Sequence, residues 1–181
     1  MNKLINFIPV TIFTIFIVYM AIKLDEDKRN IFENKNYFEQ NKLVGQSLPK
    51  FNLPSIHKGY LGLNYNDIKG RYSLINIFAS WCVACKIEHP FLMSLKENKI
   101  ITVYGIAWKD KPENTIKWLS DNGDPYNKVA QDYEGETVIS LGITGAPETF
   151  LVDEMGIIKY HHIGPLSEKI FNQKIVPLIQ K

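Results

Sequence analysis

The chain has only two cysteines among its 181 residues, Cys82 and Cys85. A disulfide-stapled scaffold needs several pairs that close longer loops, so a purely structural bridge across three residues is disfavoured. Four histidines are present (His57, His89, His161 and His162), but there is no second Cys-x-x-Cys and no His-x-x-x-His. Two thiols and His89 would supply three zinc ligands where a closed structural site takes four, so no metal is expected. An excess of one charge is also missing: 21 basic against 19 acidic residues leave a net charge of +2. With no basic stripe and no acidic tail, nothing points to nucleic acid. Internal repeats and low-complexity tracts are absent too.

Apolar residues are plentiful, 45% of the chain with 12% aromatic. That suits one domain with a sizeable core and something left over. The remainder begins at Leu4–Ile22, an almost unbroken apolar run of the length needed to cross a bilayer as a helix. Pro9 lies near one end, and Tyr19 is placed like an interfacial aromatic. A cleaved signal peptide is the alternative, but its apolar region is shorter, about 7–15 residues, and ends at a small-x-small site. Tyr19-Met20-Ala21-Ile22-Lys23 is a poor match, and no cysteine follows for lipoprotein processing. Residues 1–24 therefore read as a transmembrane anchor. Lys3 precedes the run while Lys23, Lys28 and Arg29 follow it, which leans towards a cytoplasmic C-terminus, although long domains translocate regardless. Residues 25–43 are polar and read as a tether, and 44–181 form the globular domain.

Within that domain, Tyr72–Phe78 is a β-rich run and Ile100–Trp108 a second, each followed by a helical pattern. The first helix runs from Cys82 to about Asn98. The next opens with Pro112 and ends near Asn122-Gly123. Val129-Ala130 is a short strand and Thr137–Leu141 a short helix. Thr149–Val152 and Ile157–His162 make a hairpin, and Ser167–Ile179 a closing amphipathic helix with Ser167 as N-cap. Strands alternating with helices imply a mixed α/β sheet covered by helices.

Ser80-Trp-Cys-Val-Ala-Cys-Lys86 thus falls where a buried strand ends and a helix starts. Free N–H groups and the positive dipole end there stabilise an anion, which lowers the pKa of Cys82 and favours thiolate chemistry. Cys85, one turn on, is placed to attack a mixed disulfide and release the substrate. Trp81 is either a flat wall beside the active sulfur or an ordinary core aromatic.

Asn76–Cys85, with Pro90 after it, resembles the thioredoxin signature. Gly145-Ala-Pro-Glu-Thr-Phe-Leu-Val-Asp153, Glu88-His89-Pro90 and Trp108-Lys-Asp110 are similar, more narrowly, to the thiol–disulfide interchange proteins of cytochrome c biogenesis (CcmG/DsbE type). The resemblance covers about Val44 to the C-terminus. It implies a thioredoxin-like α/β fold with extra N-terminal strands between about Lys50 and Asn66. It implies a redox disulfide Cys82–Cys85, a cis bond between Ala146 and Pro147, and an Ala146 backbone offered to an extended substrate in the manner of strand addition. It also implies the outer face of the bacterial inner membrane, with the catalytic domain on the periplasmic side. The expected partners are apocytochrome c, or a haem-attachment partner carrying its thiols, and a membrane thiol reductant that recharges the cysteines. No cofactor is required.

Asn76 stands where thioredoxin proper keeps a buried aspartate. Glu88 and Glu148 are candidates to replace that acid, tuning or relaying protons to Cys85; otherwise both are solvated surface acids. The family commonly has a proline inside the motif and this chain has Val83-Ala84, so no reduction potential carries over. His89, His161 and His162 receive no catalytic role. Three other readings stay open: a general periplasmic oxidant or isomerase, a reductant for another assembly pathway, and a zinc-stapled or structural scaffold without enzymatic activity.

Overall fold

The structure, a computed structural model, describes residues 12–26, 42–143 and 145–180. The chain divides into two units, residues 1–39 and 40–181. In the first, residues 12–26 form a helix, α1. The beginning of the expected span and most of the tether lie outside the described residues. No helix among the described residues is long and apolar enough to cross a membrane.

The second unit is built on a five-stranded sheet. Its strands are β3 (Ser73–Phe78), β4 (Thr102–Trp108), β5 (Val129–Asp132), β6 (Glu148–Val152) and β7 (Ile158–Ile163), in the order β5-β4-β3-β6-β7. β3, β4 and β5 run parallel, and β6 and β7 are antiparallel to their neighbours. β3 is central and buried along its whole length, which is why it is apolar apart from Ser73 at its start and Asn76.

Two parallel crossovers stepping the same way put α3 (Val83–Glu97) and α4 (Pro112–Asn122) on one face of the sheet. Leu92 and Leu95 of α3, with Trp118 and Leu119 of α4, pack there against Leu74, Phe78 and Leu151. The C-terminal segment adds Phe171 and Ile175 to the same layer. Opposite lie α2 (Tyr65–Ile68), α5 (Glu136–Ser140) and the N-terminal hairpin, covering Ile75, Ile77, Phe150 and Val152. The arrangement is a thioredoxin-like mixed sheet between helical layers.

Two details differ from expectation. The extra N-terminal strands, β1 (Asn52–Leu53) and β2 (Leu63–Asn64), form their own antiparallel pair. They meet the large sheet through a bridge between Ser55 and Ala130. The closing helix is not continuous: α6 (Glu168–Ile170) passes through a π-helical stretch, Phe171–Ile175, into α7 (Val176–Ile179). Pro177 lacks the N–H that would bond the carbonyl four residues back, and the helix widens ahead of it. Ser167 does cap the start, accepting from the Ile170 N–H at 3.4 Å.

Candidate active site

Cys82 is the N-cap of α3 and Cys85 lies in its first turn. The two are joined by a disulfide. The Cys85 N–H donates to Cys82 Sγ at 3.1 Å. The same helix-start amide is in place to stabilise Cys82 as a thiolate once the bridge opens. Both residues are buried, Cys82 at 5% exposure and Cys85 at 2%. Cys82, at the helix start, is the more exposed residue of the two.

The approach to the motif is held from the side. Asp110 Oδ2 accepts from the Ser80 N–H at 2.7 Å and from the Thr115 hydroxyl at 2.9 Å. Trp81 Nε1 donates to the Lys109 carbonyl at 3.1 Å. Lys109 itself adopts φ 46°, a left-handed backbone held in place by these contacts. Trp81 is 55% exposed, so the core-aromatic reading is corrected: its indole is tied down at its Nε1 edge and is otherwise largely open. Val83 and Ile87, also exposed, continue an apolar rim beside the sulfurs.

The Ala146–Pro147 bond is cis. The Ala146 carbonyl oxygen lies 3.4 Å from Cys82 Sγ, and a cavity of about 210 Å³ lined by Ala84, Ala146, Pro147 and Glu148 opens alongside. The Gly164 N–H donates to the Pro147 carbonyl at 2.9 Å, tying this loop to the end of β7.

Glu88 and Glu148 are both buried, at 2% and 1% exposure, so neither is a solvated surface acid. They do not converge on Cys85, however. Side chains alternate along a strand. Asn76 of β3 and Thr149 of β6 face α3, whereas Glu148 and Phe150 point to the other side of the sheet. Glu88 belongs to the α3 side. Its Oε1 accepts from Asn76 Nδ2 at 2.8 Å and its Oε2 from the Leu166 N–H at 2.8 Å. Asn76 Nδ2 also donates to Thr149 Oγ1 at 3.0 Å, and Tyr126 OH donates to Asn76 Oδ1 at 2.8 Å. Burial pushes the Glu88 carboxyl up to about 7 against these two donors, which favour its charge. Gly105 lets this network close: a side chain there would drive into the Tyr126 ring at 2.8 Å.

Glu148 is held differently. Its Oε1 accepts from the Gly145 N–H at 3.1 Å and its Oε2 lies 2.6 Å from Nε2 of buried His161. His89 is buried as well. It turns from the sulfurs to the Asn122 and Gly123 carbonyls and packs edge-on against Trp118, with its pKa lowered chiefly by that burial. Sequence reasoning gave Asp110 and Tyr126 no role of their own and set His161 aside. Asp110 carried the one usable signal, because it sits two residues before a helix that opens on Pro112, where a short carboxylate reaches neighbouring donors such as the Lys111 N–H.

Residues 43–175 match the redoxin family model. The chain is 34% identical over 181 residues to the thiol:disulfide interchange protein DsbE of Pseudomonas aeruginosa, covering all of this chain and 96% of that one. It is 37% identical over 183 residues to the protein of the same name from Pasteurella multocida, covering 100% and 97%. Among solved structures, the thioredoxin domain of a thiol-disulfide oxidoreductase from Bacteroides vulgatus aligns with a TM-score of 0.63 at 22% identity, over 75% of this chain and 97% of that one. That last likeness bears on the fold.

Proposed function

The chain belongs to the redoxin family, among the DsbE-type thiol:disulfide interchange proteins, and from that premise we propose that it is a membrane-anchored reductant of protein disulfides in cytochrome c maturation. Thiol–disulfide oxidoreductase activity comes with the family; the direction, the substrate and the location are our reading. The observation that carries it is the Ala146 carbonyl standing 3.4 Å from Cys82 Sγ beside an apolar rim of Trp81, Val83 and Ile87. An extended polypeptide laid along Ala146 by backbone pairing would bring its own sulfur to Cys82.

In that direction the reduced protein attacks first. The Cys82 thiolate adds to one sulfur of the substrate disulfide, forming a mixed disulfide and expelling the other as thiolate. Cys85 then gives up its proton and attacks Cys82 Sγ. This forms the Cys82–Cys85 bridge and releases the second substrate thiolate. Two electrons pass to the substrate, and its thiolates take up the protons. The substrate of this reading is apocytochrome c, or a partner carrying its haem-binding cysteines, and a membrane thiol reductant restores the dithiol. The apolar run at residues 4–22 supports a single-pass anchor in the bacterial inner membrane, with the domain on the periplasmic side.

Equilibration with glutathione and dithiothreitol buffers tests the direction. A potential well below the roughly −120 mV of a strong disulfide oxidant supports the reductant. A value near that oxidant's would make disulfide formation the better reading.

A further inference from the structure

The exchange chemistry above gives no task to His161. His161 is 2% exposed, on β7, with its ring stacked almost flat on Phe150 (centroids 4.2 Å apart, planes at 10°). Its Nε2 lies 2.6 Å from Glu148 Oε2, while its Nδ1 is buried with no hydrogen-bond partner among the described residues.

The orphaned Nδ1 decides the protonation. An imidazolium, or the tautomer with its proton on Nδ1, would bury an N–H donor with nothing to accept it. A neutral ring with its proton on Nε2 leaves only a lone pair unpaired, which costs less. Nε2–H therefore donates to Glu148 Oε2. Its second oxygen accepts from the Gly145 N–H, at the start of the loop that carries Ala146 and Pro147. The chain of contacts runs from β7, through a carboxylate, to the backbone that faces Cys82.

We propose that His161 is a positioning residue for the exchange reaction: it fixes the Glu148 carboxylate, and the hydrogen bond from Gly145 to that carboxylate fixes the loop offering Ala146 to a protein substrate. The inference rests on the reading of dithiol–disulfide exchange with protein disulfides. A hydrogen bond to an ionised acceptor is about twice as strong as one to a neutral group. Deprived of the imidazole donor, the Glu148 side chain loses the contact that orients it, and the hold on Gly145 slackens. A small disulfide needs only the sulfur of Cys82. An extended peptide also needs the Ala146 backbone in register, so loss of His161 penalises the peptide selectively.

The test compares rates of two oxidants with the reduced full-length protein: an intramolecular disulfide in a Cys-x-x-Cys-His peptide, and glutathione disulfide. His161→Phe keeps a ring on Phe150 without a donor. His161→Asn removes the reach to Glu148 while staying small and polar. His161→Gln restores a donor near the Nε2 position. The first two are expected to lose about tenfold in kcat/KM for the peptide and under about twofold for glutathione disulfide, with His161→Gln within about twofold of wild type on both. Hydrogen exchange at the Gly145 amide should quicken in the first two alone. Equal losses on both oxidants, no loss in either donorless variant, or failure of His161→Gln to restore the peptide rate would overturn the proposal. Wild-type protein inert towards both oxidants would sink the exchange reading beneath it.

Discussion

Two glutamates in this domain are buried to the same depth, on opposite faces of one sheet, and are kept there by different means. Glu88 sits among neutral donors, an amide side chain and a backbone N–H. Those bonds leave desolvation unbalanced, and its carboxyl is pushed up to about 7. Glu148 has an imidazole on one oxygen and a backbone N–H on the other. Depth alone therefore says little about what a buried acid does. One is built to exchange a proton near neutrality on the face that carries the cysteines, the other to hold a loop.

The sharpest way to break the comparison is at Asn76. Asn76→Leu strips a donor from Glu88, a donor from Thr149 and the acceptor of Tyr126 together, and should cost about 3–5 kcal/mol in urea unfolding. Glu148→Gln keeps a polar side chain of the same size beside Gly145 and His161, so it should cost less than half as much in the same assay.

The pH profile comes next in size. The Glu88 carboxyl has an ordinary value of 4.5 and a folded value of about 7. The folded state thus binds a proton more tightly than the unfolded chain. This contribution is fully present below about 4.5, declines as pH rises towards 7, and is gone above it. The shift corresponds to at most about 3 kcal/mol of stability lost across that window. Buried His89 and half-buried His162, whose pKa values are lowered, add a rise in stability with pH over the same range in both proteins. In denaturant titrations from pH 4 to 8, oxidised wild type should therefore lose stability relative to Glu88→Gln as pH rises. A difference between the two that does not change with pH would assign the proton to another group.

Tyr126→Phe should cost about 1–2 kcal/mol, since it leaves Asn76 Oδ1 buried without its donor. The smallest effect concerns the thiols. Glu88 lies one turn beyond Cys85 on the buried face of α3, so Glu88→Gln should lower the Cys85 titration by less than about one pH unit, with a smaller change in Glu148→Gln. Thiolate absorbance followed against pH would measure both, and equal shifts would erase the distinction between the two acids.

The frame of the domain was legible in the residues because its signals are long and periodic. β3 is six buried residues in a row, and α4 opens on Pro112 and stops at Gly123, whose φ is 89°. The sulfur pair stood at a strand-to-helix junction that the run on either side made plain. What could not be read was which face a polar side chain takes. His161-His162 alternates on a strand, so one must turn inward, but only the cross-strand partners Phe150 and Glu148 select His161. Glu88 and His89 look like surface residues beside Lys86 and Pro90. They are buried because α3 presents the Cys85–Glu88–Leu92–Leu95 side to the sheet and His89 to α4. The outward turn of Trp81 depends on a carbonyl 28 residues away.

The Glu88 network also has a kinetic consequence. Its members come from residues 76, 88, 126, 149 and 166, so it cannot close until five separated stretches of chain have met. Contacts of such long sequence separation are costly to form early, and local helices and the β3–β4 pairing do not need them. Variants in this cluster should therefore act mainly by accelerating unfolding, leaving the folding rate close to that of the wild type. The cluster would then serve as a latch on the finished domain, fastened last and released first.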